Sequence, residues 1–369
     1  MKVIFRVDSG TGIGSGHLMR CLALAEGLRD QDVQVSFVSR ELPGNLIPLL
    51  LSKEMPVSVL PAPAATTVNP GKNNPNNLGV TQAEDALQTI EALNGKKADW
   101  LVVDHYGLGV EWEENLSLYC KSLMVIDDLA NRSHACDILL DQNYFPDNMQ
   151  RYKALVPPLC KKLLGPKYAL LQKEFQKLRK EQAGKIRDFK KLLVFFTAGD
   201  DQGETLKAMH GIALFGKAEH VDVVVGKANT DRERIREMCL TQNWGYHCQV
   251  DYMPALIAQA DLVIGGGGSS NWERCALGMP ALVVILAENQ AAIAQALDSA
   301  GVAINLGWNT NVQAANYATA LKAMTTQRLA TLSKEAFKLV DAEGTQRIVE
   351  ILLVEQSIQL AQARCASSW

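Results

Sequence analysis

The chain has 369 residues, enough for two domains that each bury a core of their own. A net charge of −3 excludes a general attraction to nucleic acid or anionic lipid, so phosphate groups must be held by local amides, helix ends and single basic residues. No apolar run reaches the ~18 residues of a membrane helix, and the eight cysteines form no Cys-x-x-Cys pair, which predicts reduced thiols in a cytoplasmic protein.

The first strong pattern is Val3–Val7, a short apolar run that predicts a buried strand. It leads into Gly12, Gly14, Gly16 and His17, after which Leu18, Leu22, Ala25 and Leu28 recur at helical spacing. Strand, glycine turn and helix start make an anion-binding geometry, because glycines let a ligand approach the backbone. A dinucleotide fingerprint needs a third glycine and an acidic residue about twenty positions on. His17 and Arg40 stand there instead, which argues against a nicotinamide or flavin site. His17 falls in the first helical turn, where the positive helix end favours a neutral imidazole able to take a proton; a capping histidine is the alternative.

Further strands are predicted at Val33–Val38, Val57–Leu60, Trp100–Val103, Leu123–Ile126 and Ile138–Leu140. Their alternation with helical patterns implies a parallel sheet covered on both faces. The Pro- and Asn-rich stretch 61–80 interrupts the pattern and reads as a surface insertion within this domain. Asp104-His105-Tyr106-Gly107 closes the strand Trp100–Val103, placing the Tyr106 hydroxyl at the sheet's rim. Asp104 and His105 suit a structural or a functional role equally. Asp127-Asp128 repeats that position one strand over, as a metal or acid–base pair or as a solvated rim.

A charged helix over 170–180 precedes a second alternating set: Leu192–Phe196, Val221–Val225, Tyr246–Gln249, Leu262–Ile264, Ala281–Val284 and Ala303–Leu306. The predicted organisation is α/β, with two doubly wound Rossmann-like domains over 1–168 and 186–330 facing a cleft, and C-terminal helices over 331–369. Gly265-Gly266-Gly267-Gly268-Ser269-Ser270 follows a predicted strand and precedes a helix. Such a run suits a diphosphate lying against backbone amides with two serine hydroxyls donating; a flexible turn is the bland alternative. Glu273, one turn on, is placed to accept from vicinal hydroxyls such as those of a ribose. Asn289 and Gln290 end the segment Ala281–Ile285 and could orient a sugar or a water, or serve as turn and cap residues.

With these motifs the chain resembles the UDP-2,4-diacetamido-2,4,6-trideoxy-β-L-altropyranose hydrolases of pseudaminic acid biosynthesis, which are relatives of the two-domain GT-B glycosyltransferases. The likeness spans roughly residues 1–350. It rests on Gly14-Ser15-Gly16-His17 with Met19-Arg20, on Asp104-His105-Tyr106-Gly107 and on Glu288-Asn289-Gln290. The resemblance implies UDP on the C-terminal domain, held by Gly267, Gly268, Ser269, Ser270 and Glu273. It implies His17 as the base that activates water for attack at the anomeric carbon, with inversion. Gly14 and Gly16 then make room for the sugar, and Tyr106, Asn289 and Gln290 orient the sugar or the water. UDP-sugar and water are the implied partners, with no cofactor, metal, nucleic acid or membrane. The alternative is a GT-B glycosyltransferase acting on an acceptor, and a third is a silent nucleotide-sugar-binding module. Thr197-Ala198-Gly199-Asp200-Asp201 departs from the Gly-Gly-Ser/Thr-Asp turn of many relatives, and 61–80 has no expected counterpart.

Overall fold

The computed structural model describes residues 1–63, 78–185 and 187–366. The chain divides into two compact units: Met1–Asn143 with Asp147–Gln172 and Glu343–Trp369, and Tyr144–Pro146 with Lys173–Ala342.

In the first unit the elements run β1 (Lys2–Val7), α1 (Gly16–Arg29), β2 (Gln34–Arg40), α2 (Ile47–Ser52), β3 (Val57–Leu60), α3 (Gln82–Leu93), β4 (Ala98–Asp104), α4 (Val110–Leu116), β5 (Cys120–Ile126), β6 (Ile138–Asp141), α5 (Asn148–Arg151) and β7 (Lys161–Leu164). The seven strands form one sheet in the order β3-β2-β1-β4-β5-β6-β7, and their pairings are parallel. The order reverses between β1 and β4, and ligands bind beyond the strand carboxyl ends at such a switch point.

The second unit repeats this plan: α6 (Lys173–Gln182), β8 (Lys191–Phe195), α7 (Glu204–Phe215), β9 (His220–Val225), α8 (Arg232–Gln242), β10 (Gly245–Cys248), α9 (Met253–Gln259), β11 (Leu262–Gly266), α10 (Ser270–Ala276), β12 (Ala281–Ile285), α11 (Glu288–Ser299), β13 (Ile304–Trp308), α12 (Ala314–Lys322) and α13 (Thr326–Leu339). Its six-stranded sheet has the order β10-β9-β8-β11-β12-β13, with the switch point between β8 and β11. Residues 64–77 of the expected 61–80 insertion lie outside the described residues.

The last helix, α14 (Gly344–Ala366), returns to the first unit. Ile348, Val349 and Leu352 join the core formed by α1, β1 and β4. Gly27 permits this packing, since a Cβ there would stand 3.1 Å from Thr345 and 3.2 Å from Val349. Thr345 Oγ1 both accepts from the Leu171 N–H and donates to the Leu171 carbonyl. The segment 331–369, expected as one set of terminal helices, therefore divides between the two units. The structure also adds β7, whose Lys-Lys-Leu-Leu sequence carries no alternation that would announce a strand.

One end of the first sheet holds a dry ion cluster. Arg6, Asp8, Arg40 and Asp85 are all fully buried. Asp85 accepts from Arg6 Nε at 3.0 Å, Arg6 Nη2 at 2.5 Å, Arg40 Nη2 at 2.6 Å and the Trp112 indole at 2.9 Å. Asp8 accepts from Arg6 Nη1 at 2.5 Å and from the Arg40 backbone N–H at 2.7 Å. Burial pushes the Asp85 carboxyl up, but the two guanidiniums outweigh it and hold it well below the usual range. The cluster ties β1, β2, α3 and α4 at one point, and its charges balance only when all four are present. Asp85→Asn is therefore expected to destabilise the first unit by about 3–5 kcal/mol, because it leaves buried positive charge uncompensated. Denaturant unfolding checks this; a loss below about 1 kcal/mol would mean that water relieves the cluster.

Candidate active site

The carboxyl ends of β1, β4 and β5 converge on one charged network in the first unit. The loop after β1 closes on itself, with the Gly14 N–H donating to the Gly10 carbonyl at 2.7 Å. Gly14 has φ +86°, left-handed backbone that side chains other than glycine resist. Gly16 begins α1, and His17 follows in the first turn. Arg20 is one turn further along the same face.

Asp104, the last residue of β4, is fully buried and receives both of them. His17 Nδ1 stands 2.6 Å from Asp104 Oδ1. Arg20 donates to the same carboxylate twice, Nε to Oδ2 and Nη2 to Oδ1, each at 2.6 Å. Burial raises the Asp104 carboxyl, but Arg20 and His17 together hold it well below its ordinary range. It is thus ionised and can only accept, so His17 Nδ1 carries a proton, and in the neutral ring Nε2 is the nitrogen with the lone pair. Among the described residues Nε2 has no hydrogen-bond partner, and the side chain keeps 9% of its surface exposed.

Arg20 also reaches Asp128 after β5, with Nη1 to Oδ2 at 3.1 Å. The Tyr106 hydroxyl donates to the other oxygen of Asp128 at 2.6 Å. Its ring meets the His17 ring edge-to-face, with centroids 4.5 Å apart at 86°. His105 points elsewhere: Nδ1 accepts from the Gly107 N–H at 2.9 Å, and burial lowers its pKa to about 4, so it is neutral.

The pair Asp127-Asp128 is not a solvated rim. Asp127 is fully buried and accepts from the Ala130 N–H, Arg132 Nη1 and the Tyr152 hydroxyl. Among the described residues no group of three or more His, Cys, Asp or Glu side chains could hold a metal ion, and no helix is long and apolar enough to cross a membrane. In the sequence Arg20 stands out only within a motif, and Asp128 only as half of a pair with alternative roles. The available signal was the three-residue spacing from His17 to Arg20, which puts both on one helix face.

In the second unit, Gly265 and Gly266 belong to β11 rather than to a loop. A Cβ on Gly265 would come within 2.3 Å of the Phe195 carbonyl and 2.7 Å of Arg274, so that glycine serves packing. The loop proper is Gly267, Gly268 and Ser269, with α10 starting at Ser270. The Gly267 N–H is already engaged by the Val284 carbonyl at 3.1 Å and by Gln290 Oε1 at 3.2 Å. The N–H groups of Gly268, Ser269 and Ser270 have no acceptor among the described residues. Glu273 likewise has no hydrogen-bond partner there, and burial pushes its carboxyl up to about 7.

Asn289 and Gln290 stand in the first turn of α11, past the end of β12, rather than on the strand's end. Gln290 Oε1 accepts from both Gly267 and Leu286 N–H groups, bridging the loops after β11 and β12. Asn289 is exposed. At the divergent turn, Gly199 N–H donates to Thr197 Oγ1, while Asp201 caps the start of α7 through the Gly203 and Thr205 N–H groups.

Over 243 residues the chain is 32% identical to the UDP-2,4-diacetamido-2,4,6-trideoxy-β-L-altropyranose hydrolase of Campylobacter jejuni subsp. jejuni serotype O:2, covering 66% of this chain and 76% of that one. The chain belongs to this hydrolase family. The chain is also similar to the spore coat polysaccharide biosynthesis protein SpsG of Bacillus subtilis strain 168, at 25% identity over 97% of this chain and all of that one. Residues 201–348 match the glycosyltransferase family 28 C-terminal domain. Among solved structures, MurG of Acinetobacter baumannii gives a TM-score of 0.64 at 16% identity, covering 96% of this chain and 99% of that one. UGT2 of Phytolacca americana, complexed with UDP-2fluoro-glucose and pterostilbene, gives 0.66 at 12% identity with the same coverage. These likenesses show the fold of the GT-B glycosyltransferases.

The His17–Asp104 contact makes a direct expectation. In ¹⁵N NMR, neutral His17 should carry its proton on Nδ1, and Asp104→Asn should shift it toward the Nε2–H form usual in water. An Nε2–H tautomer in the parent protein would remove the acceptor from the exposed edge.

Proposed function

We propose that the chain hydrolyses UDP-2,4-diacetamido-2,4,6-trideoxy-β-L-altropyranose to UDP and the free sugar. The observation that carries this reading is the His17–Asp104 pair, an imidazole whose unengaged nitrogen is left as a base. The name of the Campylobacter jejuni relative supplies the substrate class.

In this reading a water oxygen attacks the anomeric carbon and gives its proton to His17 Nε2. The bond from that carbon to the UDP oxygen breaks, UDP departs as the leaving group, and the configuration inverts. Asp104 already faces Nδ1–H, so the imidazolium that forms is met by a carboxylate in a dry setting. Gly14 and Gly16 leave space beside His17, and Tyr106 orients the sugar or the water. The diphosphate lies on the N–H groups of Gly268, Ser269 and Ser270, with the serine hydroxyls donating. Gly267 contributes the absence of a side chain, since its N–H is spent within the loop. Glu273 accepts from the ribose hydroxyls. Asn289 faces the sugar or the water, and Gln290 acts by holding the loop, with its Nε2 beside Gly268. No metal or cofactor takes part, and the reaction is cytoplasmic.

The match of residues 201–348 to a glycosyltransferase domain supports a second reading, transfer of the sugar to an acceptor. UDP release from donor and water alone decides between the two. In ¹⁸O-labelled water the label is expected in the sugar and not in UDP. His17→Asn should lower turnover by about two to four orders of magnitude while UDP binding persists. Release that requires an added acceptor, or full turnover by His17→Asn, would sink the hydrolase mechanism.

Glu273 gives a separate expectation. Its carboxyl is raised to about 7, so it is largely protonated at pH 6 and ionised at pH 8. Ribose hydroxyls bind the ionised form better, so UDP affinity should rise with pH, by about tenfold from pH 6 to 8. Glu273→Gln should flatten that rise to whatever the phosphate's own titration leaves. Calorimetry with UDP measures both proteins; equal pH slopes would remove Glu273 from the ribose.

A further inference from the structure

Asp128 has no part in the mechanism above, although it touches Tyr106, which does, and Arg20, which is clamped on Asp104. One of its oxygens accepts from Arg20 Nη1 at 3.1 Å and the other from the Tyr106 hydroxyl at 2.6 Å. The same guanidinium is clamped on Asp104, which in turn holds His17 Nδ1. Tyr106 and His17 are also in ring contact. The ring that faces the sugar and the ring that takes the proton thus hang from one cation through two carboxylates.

We propose that Asp128 is a positioning residue that fixes the polarity of the Tyr106 hydroxyl, so that Tyr106 meets the substrate only as a hydrogen-bond acceptor. This rests on the hydrolase reading of the site. A carboxylate bound to a guanidinium can only accept, and a phenol has one proton to give. With that proton committed to Asp128, any further partner of the Tyr106 oxygen must itself be a donor. The group it selects is an acetamido N–H, a sugar hydroxyl or the O–H of the attacking water. A substrate carbonyl at that place would face an oxygen lone pair and be rejected.

Asp128→Asn tests this by reversing the bond while keeping the shape. The amide oxygen still takes Arg20, and the NH₂ now donates to the Tyr106 oxygen, turning the phenolic proton outward. Turnover of the UDP-sugar should fall by about tenfold or more, the factor expected for reversing one charge-assisted hydrogen bond. UDP affinity and thermal midpoint should stay near those of the parent. In a Tyr106→Phe background the same change should cost no more than about twofold, because the hydroxyl it acts on is gone. Calorimetry in a His17→Asn background gives a readout free of turnover: Asp128→Asn should weaken binding of the intact UDP-sugar and leave UDP alone.

Turnover and UDP-sugar affinity both unchanged in Asp128→Asn would overturn the proposal while the hydrolase reading stands. An equal penalty with and without the Tyr106 hydroxyl would overturn it as well, since Asp128 would then act through Arg20. A parent protein that binds no UDP-sugar would refute the reading, and the proposal falls with it.

Discussion

The buried carboxylate of Asp104 is the constraint on which the first unit's chemistry depends. A fully buried negative charge persists only where donors replace the lost water, and Arg20 and His17 supply them from the first turns of α1. The requirement runs in both directions. Arg20 is itself buried and is raised well above its ordinary range by Asp104 and Asp128, against the effect of burial. Asp104 stays ionised in spite of its burial because this guanidinium faces it. The geometry therefore fixes where α1 begins relative to β4, which nitrogen of His17 is bare and where the Tyr106 ring can lie. Such pairs contribute more to a unique arrangement than to net stability, since desolvation consumes much of their attraction.

Over six strands the two units share one strand order, and they differ in the residues that follow the strands. Around its switch point, the first collects ionised groups on β4, β5 and α1. The turn after β11 in the second carries glycines and two serines, followed by Glu273, a carboxyl whose ionisation burial resists. In the proposed reading the first generates a base, and this needs a compensating charge beside the imidazole. In the proposed reading the second receives a diphosphate, which unengaged N–H groups at a helix start serve better than a fixed negative charge would. The divergence lies in the side chains after the strands, because the strands are spent on the cores.

Most of the architecture was legible in the sequence. Apolar runs such as Val3–Val7 and Val221–Val225 are buried on both faces of a parallel sheet, so they need no alternation to be recognised. β7 was not legible, because a four-residue edge strand opening with two lysines looks like a charged turn. Nor was the allegiance of α14 to the first unit, since its apolar positions name a buried face without naming the surface that receives it. Gln290 shows the same limit in the site. Its position after β12 left a contact to sugar or water and a turn role both open, and only the folded chain shows its side-chain carbonyl bridging two loops.

The sequence by itself determined two α/β units, the glycine turns, and His17 and Tyr106 as candidates, because spacing and residue type act locally. Only the tertiary structure decided that Arg20, Asp104 and Asp128 form one network with those two residues, and that Asp127 is buried scaffold. Asp104 and Asp128 lie 84 and 108 positions from Arg20 along the chain. Their meeting follows from β1, β4 and β5 being neighbours in the sheet, and strand order is set by long-range packing rather than by any local pattern.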